Sequence, residues 1–394
     1  MKDIGTPLRE AERLEWIDAA RGLAIFGIFM VNVPAFNAPY FLYGGEEIYW
    51  SSGTSHTIQA IIDIFFQASF YTLFSFLFGF GIEMMRERLV DKGLHAKYVI
   101  GRRLGILIGF GLIHAFLIWH GDILLSYGLI GLLLLFFLNR KKKTLLAWGF
   151  SMLLIFTILF TFSLYSLGSD YGGWVNDPAI EQAKENYGNG TLYDIWSQNL
   201  NDWNYTNAPM NWPFLIMSLL PMFLIGMYIA RKKWLHQPKK HKRALVSLWT
   251  VTFLLFLVFK AGPYLFGNPA WFQLMQDNIG GSASAVFYVV SVTLLYQSPI
   301  GKRWLRGLSY VGKLSLSNYI LQSLFAFLLF YSIGFGLYGQ VSPLWSVIIV
   351  VLFYSVQTIA SKWWLQSYRY GPLEWIWRTL TYGKKQPLRR RQEG

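Results

Sequence analysis

Residues 144 to 166 read TLLAWGFSMLLIFTILFTFSLYS, with no charged side chain anywhere in the stretch. Such a segment constrains a fold more than any motif does. A hydrocarbon core of about 30 Å takes roughly 20 apolar residues as a helix, and only a helix or a closed barrel satisfies every backbone N–H and C=O in lipid. Ten stretches qualify, near 16–38, 57–85, 99–119, 122–138, 144–166, 211–230, 244–264, 280–297, 311–333 and 342–364. Charged residues make up 14% of the chain, against about 25% in soluble domains. The expected fold is all-α, a polytopic membrane helical bundle of about ten transmembrane helices. It takes residues 1–380 as one domain, with a long extracytoplasmic loop at 167–210 and a basic cytoplasmic tail at 381–394.

The placement of charge tests that count, because cytoplasmic loops collect Lys and Arg. With the N-terminus inside, the inner segments hold Arg86, Arg88, Lys92, Lys97, Arg102 and Arg103, then RKKK at 140–143, RKKWLHQPKKHKR at 231–243, and Lys302, Arg303, Arg306 and Lys313. Of the 35 basic residues only Lys184 falls in an outer loop, with Lys260 near the outer end of a helix. Both termini are therefore expected in the cytoplasm. The formal charge of +14 is dispersed over every inner loop, as topology requires, so no nucleic-acid partner is expected. The first apolar stretch is too long for a signal-peptide core and stays as helix one. The chain has no cysteine, which excludes disulfides and thiolate chemistry. No metal site is expected either.

Ionisable groups at membrane depth cost at least about 2.5 kcal/mol and usually face a cavity or a partner. His56, Gln59, Asp63 and Gln67 are spaced to share one face of the second helix, a stripe about 16 Å long descending from the outer side. In the first helix Asp18 and Arg21 sit near the inner end, and Asn32, three turns beyond Arg21, shares its face. Ser315, Asn318 and Gln322 form a third stripe rising from the inner side, and together the three point to a polar path approached from both faces. His114 lies about 8 Å below the outer surface. Asp122, after the turn at His120 and Gly121, stands where a helix N-cap belongs. The expected neighbours of His114 are Asp63 and Asp122, one of which would fix its tautomer and leave the other ring nitrogen basic. His120 reads as interfacial. The segment 167–210, with Asp170, Asp177, Glu181, Glu185, Asp194 and Asp202, is long enough for a lid. YGPLEWIWR at 370–378 reads as an interfacial segment, and the tail from 384 on, with no apolar face, as dispensable for folding.

Three segments, LEWIDAARGLAIFGIFMVNV at 14–33, GLIHAFLIWHGDILLSYGLIGLLL at 111–134, and VGKLSLSNYILQSLFAFLLF running on to YGPLEWIWR, resemble the YeiB-type bacterial membrane proteins, a family defined by a domain of unknown function. That family is similar in turn to transmembrane acyltransferases of the heparan-α-glucosaminide N-acetyltransferase type, through the Asp-x-x-Arg-Gly first helix ending in Val-Asn, matched here by Asp18, Arg21, Gly22 and Asn32. The resemblance implies acyl transfer from cytoplasmic acyl-CoA, as a co-substrate and not a tightly bound cofactor, to an extracytoplasmic acceptor. It also implies a histidine before the second helix, whose nearest counterpart is His56 at a different spacing. The catalytic candidates are then His114, Asp122, Asp63 and His56, and the acyl-CoA-binding candidates Asp18, Arg21, Asn32, Asn318 and Gln322. A transporter or flippase for a small or lipid-linked substrate, with Asp63 and His114 carrying protons or binding it, and a non-catalytic membrane subunit are the alternatives.

Overall fold

The computed structural model describes residues 13–168 and 174–390; Asp170 and the last four residues of the tail fall outside them. The first half of the chain forms α1 (Glu15–Asn37), the short α2 (Tyr40–Tyr43) and α3 (Glu46–Tyr49), α4 (Gly53–Phe65), α5 (Ser69–Asp91), α6 (Ala96–Leu117), α7 (Leu124–Leu133) and α8 (Lys142–Ser166). After these come α9 (Asp177–Gly188), α10 (Leu192–Thr206), α11 (Trp212–Lys232), α12 (Lys242–Phe256), α13 (Gln273–Met275) and α14 (Gly281–Leu295). The chain closes with α15 (Pro299–Lys313), α16 (Ser315–Phe330), α17 (Pro343–Ser367) and α18 (Pro372–Tyr382). Among the described residues eight helices are long and apolar enough to cross a membrane, or nine if α15 and α16, bent by 80° at their junction, are taken as one broken span. α7 and its 3₁₀ continuation, Leu124–Phe136, make a shorter apolar helix. The chain is a multi-pass helical membrane protein.

Burial sorts these helices. α1 and α11 are largely enclosed, whereas α8, α12 and α17 turn most of their apolar side chains outward, as lipid-facing helices do. Lipid offers no hydrophobic drive between helices, so the core depends on close approach. At the α5–α11 seam a Cβ on Gly79 would lie 1.9 Å from the carbonyl oxygen of Phe223, and one on Gly226 would lie 2.0 Å from that of Phe76. Both positions therefore require glycine.

The basic loops gather at one end. Glu83, fully buried, is held by Arg86 at 2.6 Å and Arg231 at 2.9 Å. Arg231 also donates to the carbonyls of Leu138 (2.8 Å) and Arg140, while Trp16 Nε1 donates to Leu235 O at 2.8 Å. Within the long connection expected at 167–210, residues 177–188 and 192–206 form α9 and α10 over the far end. Asn176 caps α9, and the Thr191/Asp194 capping box starts α10. This cap is tied down by Trp196 Nε1 to Leu117 O (3.2 Å) and Asn199 Nδ2 to Ala115 O (2.6 Å).

Several helices expected to be continuous are broken. The second apolar stretch parts at Phe66–Ala68, where Ala68 adopts φ 59°, so Gln67 leaves the face shared by His56 and Asp63. The ninth stretch bends at Leu314. Two π-helical segments, Leu257–Ala261 and Gln276–Gly280, interrupt the hairpin between α12 and α14. The tail is docked rather than free: Trp375 Nε1 donates to Gln386 O (2.7 Å), Arg369 N to Leu388 O (2.9 Å) and Arg390 N to Ser367 O (3.0 Å).

Candidate functional site: two opposed cavities

At the basic end a cavity of about 210 Å³ opens among α1, α5, α6, the α15–α16 bend and α18. Asp18, 2% exposed, accepts from Arg13 Nε at 2.8 Å and from Arg21 Nη1 at 3.0 Å, so the i, i+3 pair read from the sequence is present. The remaining walls are cationic and aromatic. The Arg103 guanidinium lies 3.6 Å from the centre of the Trp377 ring, and that of Arg378 lies 4.6 Å from the Tyr370 ring. Glu374 spends its charge on the N-terminus of α16, accepting from Leu316 N (2.7 Å), Ser317 N (3.1 Å) and Ser317 Oγ (2.5 Å). Burial pushes its carboxyl up and these bonds hold it down. Among the described residues, six cations (Arg13, Arg21, Arg88, Arg103, Lys313 and Arg378) and two carboxylates, Asp18 and Glu374, line this space. Such a space suits a polyanion.

At the far end a second cavity, about 470 Å³, is walled by α1, α5, α10, α11 and the α6–α7 turn. Asn32, Gln67, Asp122, Ser126, Asn207 and Ser218 line it, with Trp119, Trp212 and Phe214 as apolar walls. His120 faces this cavity, its Nδ1 3.6 Å from Asp202 Oδ2. Burial lowers the affinity of the His120 ring for a proton, and Asp202 pulls the other way. Asp202, 2% exposed, is fixed by the hydroxyls of Tyr43 (2.6 Å) and Tyr187 (2.8 Å) and the amide of Gln198 (2.7 Å).

Behind His120, His114 is wholly buried. Its Nδ1 lies 2.8 Å from Asp122 Oδ1, while Asp122 Oδ2 accepts from Leu125 N at 2.6 Å. Asp122 thus caps α7 and orients the imidazole at once. The close approach depends on Gly111, where a Cβ would lie 2.3 Å from Leu125 N. His114 Nε2 has no hydrogen-bond partner, and its ring packs 5.1 Å from that of Tyr319.

The other candidates lie elsewhere. Asp63, expected beside His114, is paired with Lys260, because the break at Phe66–Ala68 carries α4 away from α6. His56 is exposed on α4 and lines neither cavity. Arg21 and Asn32 open into different cavities. Asn318 and Gln322 belong to a closed network between α16 and α17, not to a path: Asn318 Nδ2 donates to Ser361 Oγ (3.0 Å), Gln322 Nε2 to Gln357 Oε1 (2.8 Å) and Gln357 Nε2 to Asn318 O (3.0 Å). Polar side chains joining two helices in this way look the same in sequence as a water-lined stripe. His120 and Asp202 were missed as a pair because 82 positions and a cap of two helices separate them. Arg103 and Trp377 were separately visible, as an inner-loop cation and an interfacial aromatic.

The two cavities are close neighbours. On α5, Tyr71 lines the far one and Phe74 the basic one. On α5 the two linings come within one helical turn, which Tyr127 braces, its hydroxyl donating to Tyr71 O at 2.6 Å and lying 2.8 Å from Ser75 Oγ, whereas on α1 they lie ten residues apart, at Arg21 and Val31. Fold and cavities together define a class, polytopic helical membrane proteins with a cationic cavity and a histidine–carboxylate cavity back to back. Residues 229–384 match the family described as "Protein of unknown function (DUF418)". The chain is 37% identical, over 97% of both lengths, to the uncharacterized protein YxaH of Bacillus subtilis (strain 168). It is 28% identical to an uncharacterized 39.9 kDa protein in the amylase 3' region of Bacillus acidopullulyticus (98% and 99% covered), and 27% identical to the uncharacterized protein YeiB of Escherichia coli K12 (94% and 96% covered). The chain belongs to this YeiB-type, DUF418 family of bacterial membrane proteins. No solved structure matches it.

Proposed function

We propose that the protein transfers an acyl group from acyl-CoA, bound in the cationic cavity, to an acceptor held in the far cavity. The observation that carries this reading is the pairing of a cationic cavity at the basic end with a histidine–carboxylate cavity at the far end, whose linings come within three residues of each other on α5, at Phe74 and Tyr71. The positive-inside rule puts the basic end, with both termini, in the cytoplasm, where CoA is available. Arginines suit CoA phosphates because their planar forks bind them bidentately. The acceptor hydroxyl or amine attacks the thioester carbonyl, the new bond forming as the C–S bond breaks. His120 takes the acceptor proton as general base, and the departing thiolate is protonated from the cytoplasmic side.

A transport reading draws support from the broken helices at 66–68 and 314, since discontinuous helices frame many transporter sites. Binding separates the two. Acetyl-CoA is expected to raise the melting temperature of the purified protein in detergent, with a stabilisation of about 2.7 kcal/mol at a hundredfold excess over Kd. Arg103→Ala and Arg21→Ala should weaken that effect. An unchanged melting temperature with both acetyl-CoA and CoA at millimolar concentration would remove the basis for acyl transfer and leave transport as the better account.

A further inference from the structure

Outside both cavities, the two π-helical segments face each other across the far half of the bundle and hold a charged cluster that the acyl-transfer reading does not use. A π segment accommodates one extra residue in a helix, and such insertions often mark functional positions. Here one segment carries Lys260 and the other Asp277 and Gln276. Lys260 is wholly buried at membrane depth, where its Nζ has to find polar partners. Its Nζ lies 3.3 Å from Asp63 Oδ1 on α4 and 3.4 Å from Asp277 Oδ1.

Both contacts are long for charge-assisted bonds, which run to about 2.7–2.9 Å. By contrast, neutral groups hold the other oxygen of Asp63 tightly, Tyr264 OH at 2.7 Å and Gln276 Nε2 at 2.8 Å. One ammonium thus serves two carboxylates. A third carboxylate adds to the imbalance: Glu46, in the outer α3 segment, has its pKa pushed up to about 7 by burial and by the nearby charges of Asp63 and Glu47.

Lys260 is fully enclosed, while the side chains of Asp63 and Asp277 remain 26% and 21% exposed. Along α4 the same stripe runs from exposed His56, past Gln59, whose buried amide nitrogen has no partner, to Asp63. Past the break, Gln67 lines the far cavity. The cluster therefore sits between the outer surface and that cavity. Buried charge is tolerated only when nearly neutral, and two carboxylates against one ammonium lack one positive charge.

We propose that Asp63, Lys260 and Asp277 form a proton-binding site that takes up and releases one proton through the outer face. The site makes up the missing charge with the smallest cation available, and it stands apart from the acyl-transfer proposal. It is tested on the full-length protein in detergent by infrared difference spectroscopy between about pH 5 and pH 8, following the C=O stretch of protonated carboxyls. The wild type is expected to show a titrating carboxyl that survives Glu46→Gln and is lost in Asp277→Asn or Asp63→Asn. Removing the ammonium with Lys260→Met withdraws the charge that favours carboxylate, so the midpoint should move to higher pH by about one unit or more. Thermal melts establish that each variant is folded, and if Lys260→Met is not, the two isosteric Asp→Asn variants decide alone. The proposal is overturned if Glu46→Gln abolishes the whole carboxyl signal, if both Asp→Asn variants retain it, or if a folded Lys260→Met leaves the midpoint in place.

Discussion

Two histidines six positions apart, His114 and His120, have opposite environments. His120 lines the far cavity, its Nδ1 3.6 Å from Asp202 and without a hydrogen-bond partner, while His114 is enclosed and spends one nitrogen on Asp122. A general base must reach the proton it removes, which favours His120. His120→Gln should leave stabilisation by acetyl-CoA intact and lower turnover by roughly 10² to 10⁴-fold in an acyl-transfer assay. His114→Gln should instead lower the melting temperature, because it leaves Asp122 with a buried oxygen short of its partner. If His114→Gln abolished turnover while His120→Gln kept it, the roles would be reversed. A pH dependence follows as well. His120 binds a proton less readily when folded than at its ordinary value of 6.5, so the folded state favours the neutral ring. Its contribution to stability is present above 6.5 and is lost as pH falls below it. In His120→Gln melting temperatures should depend less steeply on pH below that value.

At the scale of elements, the α6–α7 turn shows what packing contributes. The dyad forms because Gly111 lets the start of α7 rest directly on α6. Gly111→Leu should push the two apart, breaking the His114–Asp122 contact and destabilising the protein by about 1–3 kcal/mol, as overpacking generally does. A melting temperature within error of wild type would show that the turn tolerates the added bulk. Asp122 as a cap and Asp18–Arg21 as a pair were both legible in the sequence, since each depends on neighbours within a few positions. Asp63 was not. Its partner, Lys260, lies on a segment whose π geometry has no periodic signature, and the break at Ala68 turns α4 aside without a Gly or Pro to announce it. The docking of the tail was likewise not legible, because its contacts are the backbone bonds to Ser367 and Arg369 and the Trp375 indole bond to Gln386 O, and a polar composition neither promises nor forbids those.

For the whole molecule, charge distribution and hydropathy were enough to give the helical class and nearly all the spans. The opposed cavities were not visible because each is assembled from at least four helices distant in sequence. The orientation proposed for them is open to direct measurement. A cysteine placed at Asn189, exposed on the α9–α10 cap of a chain with no other cysteine, should react with an impermeant maleimide in intact cells. Labelling only after permeabilisation would invert the topology and place the cationic cavity outside.

The single turn from Tyr71 to Phe74 also has an electrical meaning. Were solvent to fill both cavities, the membrane voltage would fall over the protein between them and not over about 30 Å of hydrocarbon, so the field there would be steeper than elsewhere in the bilayer. The Tyr127 hydroxyl and the backbone carbonyl it holds lie at that constriction. A net charge passing the turn in either direction would traverse nearly the whole potential, about 2.3 kcal/mol for each 100 mV. A step that moved charge there would draw on the energised state of the cell, whereas one that moved only a neutral group would not feel it.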